Sequence, residues 1–177
     1  MAGTSVAGTS VAGKSVAGTS VAGWSDDAAL EVIAAHAQQR GPLLPVLHAL
    51  QEAFGYIDAR AVPLVAKALN LSRADVHGVV TFYKDFRSEP AGAVRVQVCR
   101  AEACQAVGGY ELADHARRSL GVEFGETTSD RAATLDQVFC LGNCALAPSV
   151  VVDGRLHGRV DPARFDAVLS DAMARQR

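Results

Sequence analysis

The chain contains four cysteines, and they occur as two separated pairs. Cys99 and Cys104 form a C-x4-C pair, and Cys140 and Cys144 form a C-x3-C pair. Thiols stay reduced inside cells, where grouped cysteines indicate metal or redox chemistry more often than structural disulfides. The pattern constrains the fold strongly, because two distant loops must meet if all four thiols act at one site.

Composition favours a protein of the cell interior. Apolar residues make up 49% of the 177 residues, enough for a buried core, and the net charge is −2. This balance provides no basic stripe for nucleic acid or for an anionic membrane. The chain has no apolar run of the roughly 18 residues that a membrane span needs, and no secretory signal. We therefore expect a soluble, cytoplasmic protein without direct membrane insertion.

The first predicted segment, residues 1–25, is a repeat that reads MAGTS VAGTS VAGKS VAGTS VAGWS. Its valines recur at every fifth position, which matches neither the helix period of 3.6 nor the strand period of 2. Gly, Ser and Thr fill most other positions, so no apolar face can form. We expect a low-complexity tail that is flexible unless it docks, with Trp24 as the anchor.

The second predicted segment, residues 26–90, reads as a small bundle of short helices. Each helix has an apolar stripe and recognisable signals at its ends, such as Ser72 with Asp75 three residues later. The predicted helices run from Asp26 to about Gln39, from Pro42 to Gly55, from Asp58 to Asn70, and from Ser72 to about Phe82.

The third predicted segment, residues 91–177, reads as a small mixed sheet with helices against it, in the order βαβββα or close to it. A strand ends at Cys99, and Asp153-Gly154 is a strong hairpin turn signal. The predicted strands are 94–99, 122–127, 134–139, 149–152 and 156–160, with helices after Gly109 and after Asp161. The fold class is therefore α+β, of thioredoxin-like size.

The predicted strands place the cysteines at strand ends. If strands 94–99 and 134–139 lie side by side and run in the same direction, both cysteine loops emerge at one end of the sheet. Gly142 would let the second loop curve tightly and point backbone N–H groups at sulfur. Such donors stabilise the negative charge of an iron–sulfur cluster.

Three interpretations of the thiols remain open. A four-cysteine zinc site in a non-redox adaptor is possible, although structural zinc favours C-x2-C spacing. Disulfides or inert buried thiols are a second alternative, which a reducing compartment disfavours. A [2Fe-2S] cluster is the interpretation that we favour, although neither pair follows the plant-type or bacterial ferredoxin spacing.

The cysteine pattern, together with upstream motifs, resembles a known family. The motifs are GPLLPVLHALQEAFGYID, AVPLVAKALNLSRADVHGVVTFYKDF and VRVQVC, so the resemblance extends from about residue 26 to the C-terminus. They are similar to the thioredoxin-like [2Fe-2S] ferredoxins, which include the small iron–sulfur subunit of NADH:quinone oxidoreductase (complex I). The resemblance implies an N-terminal helical bundle followed by a ferredoxin domain. It also implies that one cluster is bound by four ligands, which are Cys99, Cys104, Cys140 and Cys144.

Within this family, the first cysteine loop favours one group of members. It reads CRAEACQAVGGYELADHA, with Ala103 where complex I subunits often carry proline, and it looks more like the gamma subunit of NAD-dependent formate dehydrogenase. The equivalent subunits of complex I and of NAD-reducing hydrogenases are the alternatives.

The resemblance implies an electron-transfer subunit without a catalytic residue of its own. It would exchange single electrons with a larger iron–sulfur subunit that carries FMN and the NAD site. Through that subunit it would be linked to a molybdenum-containing, formate-oxidising subunit. FMN, NAD, a [4Fe-4S] cluster and the molybdenum cofactor are accordingly expected only in partner subunits.

Overall fold

The computed structural model describes residues 23–176. The predicted flexible tail lies, for residues 1–22, outside these described residues. The chain begins with helices and continues into a mixed sheet, as the sequence predicts. The four N-terminal helices are α1 (Asp26–His36), α2 (Leu43–Phe54), α3 (Ala61–Leu69) and α4 (Arg73–Phe82).

The ends of these helices follow from their local sequence. Ser72 and Asp75 form the predicted capping box: Asp75 N–H donates to Ser72 Oγ at 3.0 Å, and Ser72 N–H donates to Asp75 Oδ2 at 3.2 Å. Gly55 ends α2 with a φ of 78° and Asn70 ends α3 with a φ of 52°, both left-handed conformations that release the chain from the helix.

Two helices are shorter than predicted. Helix α1 ends at His36 rather than near Gln39, since its last buried residue is Ile33 and the polar residues beyond it have no core contact. Helix α3 begins at Ala61 rather than at Asp58. The Asp58 carboxylate accepts a hydrogen bond from the Arg60 backbone N–H at 2.8 Å and so stabilises a turn before the helix.

The helical region encloses its own core and holds Trp24 against it. The Trp24 ring lies 4.8 Å from that of Phe54 between centroids, and the Arg60 guanidinium carbon lies 5.5 Å from the Trp24 ring centroid. Trp24, which the sequence analysis considered as an anchor, is therefore packed on the helical core. The fully buried aliphatic residues of this core include Ile33, Val46, Leu47, Leu50, Val65 and Val76.

The second half of the described chain forms a five-stranded sheet in the order β2-β3-β1-β4-β5. The strands are β1 (Val94–Cys99), β2 (Glu126–Thr127), β3 (Ala133–Val138), β4 (Ser149–Val152) and β5 (Arg155–Gly158). Strand β1 pairs parallel with β3 and antiparallel with β4, so the sheet is mixed.

Two details of the sheet differ from the sequence prediction. Strand β2 is only two residues long and pairs antiparallel with β3, where the sequence predicts a strand over residues 122–127. Strand β5 ends at Gly158 rather than at Val160. Arg159 has a φ of 52°, and its N–H donates to the Leu146 carbonyl at 2.6 Å instead of continuing the strand.

The helices of this half pack on the sheet. A short helix α5 (Glu102–Cys104) is joined to α6 (Tyr110–Leu120) by a kinked segment, Gln105–Gly109, in which Val107 and Gly108 leave the helical conformation, and α7 (Pro162–Arg175) follows β5. Helices α6 and α7 lie side by side against β3 and β4. The core between helices and sheet includes Val96, Val98, Leu112, Leu135, Val150, Phe165 and Leu169. The architecture is the predicted α+β class.

The segment between α4 and β1 joins the two halves and forms hydrogen bonds with both. Gln51 Oε1 accepts from Arg87 N–H at 2.8 Å, and the Arg87 guanidinium donates to Asp136 Oδ2 at 2.6 Å. Arg95 Nε donates to the same carboxylate oxygen at 2.9 Å. The two separate cores support the predicted division into residues 26–90 and 91–177, which stays a prediction. None of the helices within residues 23–176 is long and apolar enough to cross a bilayer.

Candidate functional site

The pairing of β1 with β3 determines where the cysteines lie. Cys99, the last residue of β1, is in register with Val138, the last residue of β3, and the two strands run parallel. Cys140 follows β3 at the same edge. The prediction that these strands run side by side in one direction is therefore confirmed.

The remaining two cysteines lie on the short elements that follow. Cys104 is the last residue of α5, and Cys144 begins a 3-10 turn (Cys144–Leu146) that leads towards β4. Both pairs thus meet at one end of the sheet.

The four thiols are free and interact as two pairs. Cys104 interacts by hydrogen bonding with Cys99, and Cys144 does so with Cys140. Cys144 also interacts electrostatically with Cys99 and with Cys104, so the two pairs influence each other. Across residues 23–176, no three His, Cys, Asp or Glu side chains gather closely enough to hold a single metal ion. The site therefore consists of two neighbouring thiol pairs.

The environment of Cys104 and Cys144 disfavours their thiolate forms when no cation is present. Burial, followed by the hydrogen bond with Cys99, raises the pKa of Cys104 from 9.0 to about 11, while the backbone N–H of Ser149 acts in the opposite direction. The pKa of Cys144 is raised mainly by its hydrogen bond with Cys140. Metal binding at these sulfurs would therefore release protons, and the metal charge would stabilise the thiolates.

The two pairs differ in exposure. Cys99 and Cys104 are 3% and 2% exposed, whereas Cys140 and Cys144 are exposed. The second pair is flanked by Phe139, which is 70% exposed. One side of the site therefore faces the core, and the other faces the molecular surface.

The second cysteine loop has the tight curvature that the sequence predicts. Gly142 has a φ of 72°, and its backbone N–H donates to Cys140 Sγ at 3.3 Å. Cys140 itself has a φ of 130°, a conformation that side chains rarely adopt. The loop thus directs a backbone donor at a sulfur, as expected for a thiolate that carries negative charge.

The first cysteine loop depends on a glycine whose role the sequence analysis missed. A Cβ atom at Gly109 would lie 2.5 Å from the Cys104 carbonyl oxygen, so only glycine fits against the backbone of this cysteine. The sequence showed Gly108 and Gly109 only as a helix start. The kink at Val107 and Gly108 that brings Gly109 onto Cys104 has no signature in the spacing of apolar residues.

The donor set is chemically selective. It consists of four free thiols. Thiolates are soft ligands that suit iron–sulfur clusters and zinc. Two pairs of thiols fit a centre with two irons, because each iron takes two cysteine ligands.

Comparison with known proteins finds relatives over most of the chain. The model of the family described as "Thioredoxin-like [2Fe-2S] ferredoxin" matches residues 29–173. The chain is 36% identical over 144 residues to an NADH-quinone oxidoreductase subunit of Rhizobium meliloti, covering 81% of this chain and 86% of that protein. It is 32% identical over 142 residues to the NADP-reducing hydrogenase subunit HndA of Solidesulfovibrio fructosivorans, covering 80% and 83%.

A solved structure shows the same fold. An air-oxidised NAD+-reducing [NiFe]-hydrogenase matches 75% of this chain with a TM-score of 0.62 and 24% sequence identity. The present chain covers 23% of the matched hydrogenase chain. At this identity the comparison establishes the fold alone.

Proposed function

Because the chain belongs to the thioredoxin-like [2Fe-2S] ferredoxin family, we propose that it is an electron-transfer subunit that carries one [2Fe-2S] cluster. The proposed ligands are the four cysteines of the site, Cys99, Cys104, Cys140 and Cys144. No catalytic residue is assigned to the chain, which would act as a non-catalytic part of an NAD-linked oxidoreductase.

The observation that carries the proposal is the parallel register of β1 and β3. It brings Cys99 and Cys140, which lie far apart in sequence, to the same edge of the sheet. The arrangement as two pairs favours a binuclear iron centre. Structural zinc sites favour C-x2-C spacing, which neither pair has, so the zinc adaptor is the less favoured alternative.

The residues around the site would control its charge and access. When bound, a [2Fe-2S] cluster provides a centre that accepts and returns a single electron. The Gly142 N–H donates to Cys140 Sγ and stabilises negative charge there. Burial of Cys99 and Cys104 excludes water from one side of the site. Exposure of Cys140 and Cys144 leaves the other side within reach of a redox partner.

We propose that this partner is a subunit that binds FMN and NAD. The relatives support this class, because they are named as subunits of an NADH-quinone oxidoreductase and of an NADP-reducing hydrogenase. FMN, NAD and any [4Fe-4S] cluster would belong to that partner.

A finer proposal concerns the kind of complex to which the subunit belongs. Another relative, 35% identical over 124 residues, is an NADH-quinone oxidoreductase subunit of Pseudomonas aeruginosa, so a complex of the NADH dehydrogenase type has the broader support. The formate dehydrogenase assignment, with its molybdenum-containing subunit, rests on the resemblance of the first cysteine loop alone. It stays an alternative beside the NAD-reducing hydrogenases.

Absorption and electron paramagnetic resonance spectroscopy test the cofactor. Purified protein should be reddish-brown, its visible absorption should bleach with dithionite, and the reduced protein should give a paramagnetic signal. Colourless protein with stoichiometric zinc and no sulfide would replace the proposal with the zinc adaptor.

Affinity purification of the chain from its native cells tests the partner. We expect a flavin-containing subunit to co-purify. A molybdenum subunit in the same preparation would support formate dehydrogenase, whereas quinone-reducing membrane subunits would support complex I. A monomer that reduces several acceptors without any co-purifying subunit would contradict the proposed partner.

A further inference from the structure

Ser149 is an unusual residue in this core because its polar side chain is almost completely buried. It is the first residue of β4 and is 1% exposed. Among residues 23–176, only Thr134 shares this combination of polarity and burial. A buried hydroxyl is costly unless its hydrogen bonds are satisfied, so its partners are informative.

Both partners of the Ser149 hydroxyl belong to the second cysteine loop. The hydroxyl accepts a hydrogen bond from Asn143 Nδ2 at 3.1 Å and donates one to the Leu146 carbonyl oxygen at 3.3 Å. Asn143 immediately precedes Cys144, and Leu146 ends the 3-10 turn that Cys144 begins. The hydroxyl therefore forms hydrogen bonds with residues on both sides of Cys144 in the sequence.

The strand that Ser149 begins lies beside the first cysteine pair. Val150, the next residue, is in register with Val98, which directly precedes Cys99. Ser149 therefore stands next to the end of β1 in the sheet, while its side chain binds the second loop.

The second loop also packs closely on β5, and this packing resists small displacements of the loop. A Cβ atom at Gly158 would lie 2.7 Å from Leu146 Cβ and 2.8 Å from Asn143 Nδ2. The Leu146 carbonyl accepts a second hydrogen bond from Arg159 N–H at 2.6 Å. The Ser149 hydroxyl adds a side-chain link between the second loop and β4, the strand that pairs with β1.

We propose that Ser149 is a positioning residue that fixes the distance and orientation of the Cys140 and Cys144 pair relative to the Cys99 and Cys104 pair. The inference rests on the proposed function, because the arrangement it fixes is that of the cluster ligands. Without the hydroxyl, Asn143 and Leu146 would lose their common partner, and the second pair could shift while the fold persists. Ser149 is not itself a ligand, since its hydroxyl is engaged with Asn143 and Leu146.

The test compares cluster-loaded protein carrying Ser149→Ala with protein carrying Thr134→Val. Thr134 is the matched control: its hydroxyl is also buried, but it accepts from Gly92 N–H at 2.7 Å, at the start of β3 and away from the cysteine edge. We expect Ser149→Ala to shift the paramagnetic spectrum of the reduced protein. We also expect the cluster to be lost to a chelator roughly tenfold faster, as for other residues that orient metal ligands. Thr134→Val should lower the melting temperature and leave both properties unchanged.

Asn143→Ala is a second variant, which decides the question if Ser149→Ala fails to fold. It removes the other end of the same hydrogen bond and should change the spectrum and the rate of cluster loss in the same direction. A wild-type spectrum and lifetime in both variants, or equal changes in Thr134→Val, would overturn the inference. Wild-type protein that binds no iron and sulfide would instead overturn the proposed function.

Discussion

Cys99 and Val138 occupy the final, paired positions of two parallel strands, β1 and β3. Because the carboxyl ends of parallel strands meet at one edge, each strand delivers its following loop to the same place. The cysteine site is therefore a product of sheet topology, and it is remote in the chain from the helical core around Phe54.

Replacing Cys140 with Ser should remove bound iron without unfolding the helical region. A serine oxygen is a poorer ligand than a thiolate for the softer metal centres, so we expect iron content to fall to about half or less. Trp24 is the only tryptophan and packs on Phe54, so its fluorescence reports on the helical core and should remain as in the parent protein. Iron analysis and emission spectra check both statements.

The control for this substitution is Ala145→Ser, an exposed position in the same loop, which should leave the iron content unchanged. Parental iron content in Cys140→Ser would show that this cysteine is not a ligand.

Gly109→Ala should disturb Cys104 because the new Cβ would lie 2.5 Å from the Cys104 carbonyl oxygen. Overpacking of this kind costs about 1–3 kcal/mol, and here the strain falls on a proposed ligand. Gly78→Ala is the control: this glycine lies inside α4 with open space around it, and alanine there should stabilise the protein by about 0.5–1 kcal/mol. Equal cluster retention in the two variants would contradict the role assigned to Gly109.

The iron-free protein should lose stability at alkaline pH through Cys104. Its pKa is raised from 9.0 to about 11 in the folded protein, so the folded chain keeps a proton that the unfolded chain releases. This contribution to the free energy of unfolding is complete below pH 9 and is lost as the pH rises through about 11. Cys104→Ser lacks this titration, so the stability advantage of the parent over the variant should shrink across that interval. Urea unfolding under reducing conditions measures it, and a constant difference from pH 8 to 11 would argue against the assignment.

Asp136→Asn should loosen the junction between the two halves. The carboxylate accepts from Arg87 and Arg95, whose side chains are 13% and 35% exposed, and its loss leaves a mostly buried guanidinium poorly compensated. We expect a loss of about 2 kcal/mol in unfolding free energy and faster proteolysis between Arg87 and Gly92.

The control at this junction is Asp171→Asn, which removes the carboxylate of an exposed pair with Arg175 and should change stability by less than about 0.5 kcal/mol. Similar losses of unfolding free energy in the two variants would contradict the role assigned to Asp136 at the junction.

Local features of the fold were predictable because neighbouring residues determine them. The capping box of Ser72 with Asp75 and the hairpin turn at Asp153 and Gly154 both depend on contacts within a few residues. The sequence allowed the pairing of β1 with β3 to be assumed but not predicted. Parallel pairing joins residues far apart in sequence, and no local pattern specifies the partner strand.

The features that the sequence analysis missed depend on contacts between distant segments. Ser149 reads as an ordinary strand residue until its hydroxyl is seen between Asn143 and Leu146. The close approach of Gly109 to Cys104 depends on a kink at Val107 and Gly108, and apolar periodicity does not encode such kinks.

The content of iron, acid-labile sulfide and zinc in the purified protein tests the central claim most directly. If the four cysteines hold a [2Fe-2S] cluster, each chain should contain about two irons and two sulfides, with zinc near zero. Protein with about one zinc per chain and no sulfide, or with Cys99 and Cys104 recovered in disulfides, would contradict the account.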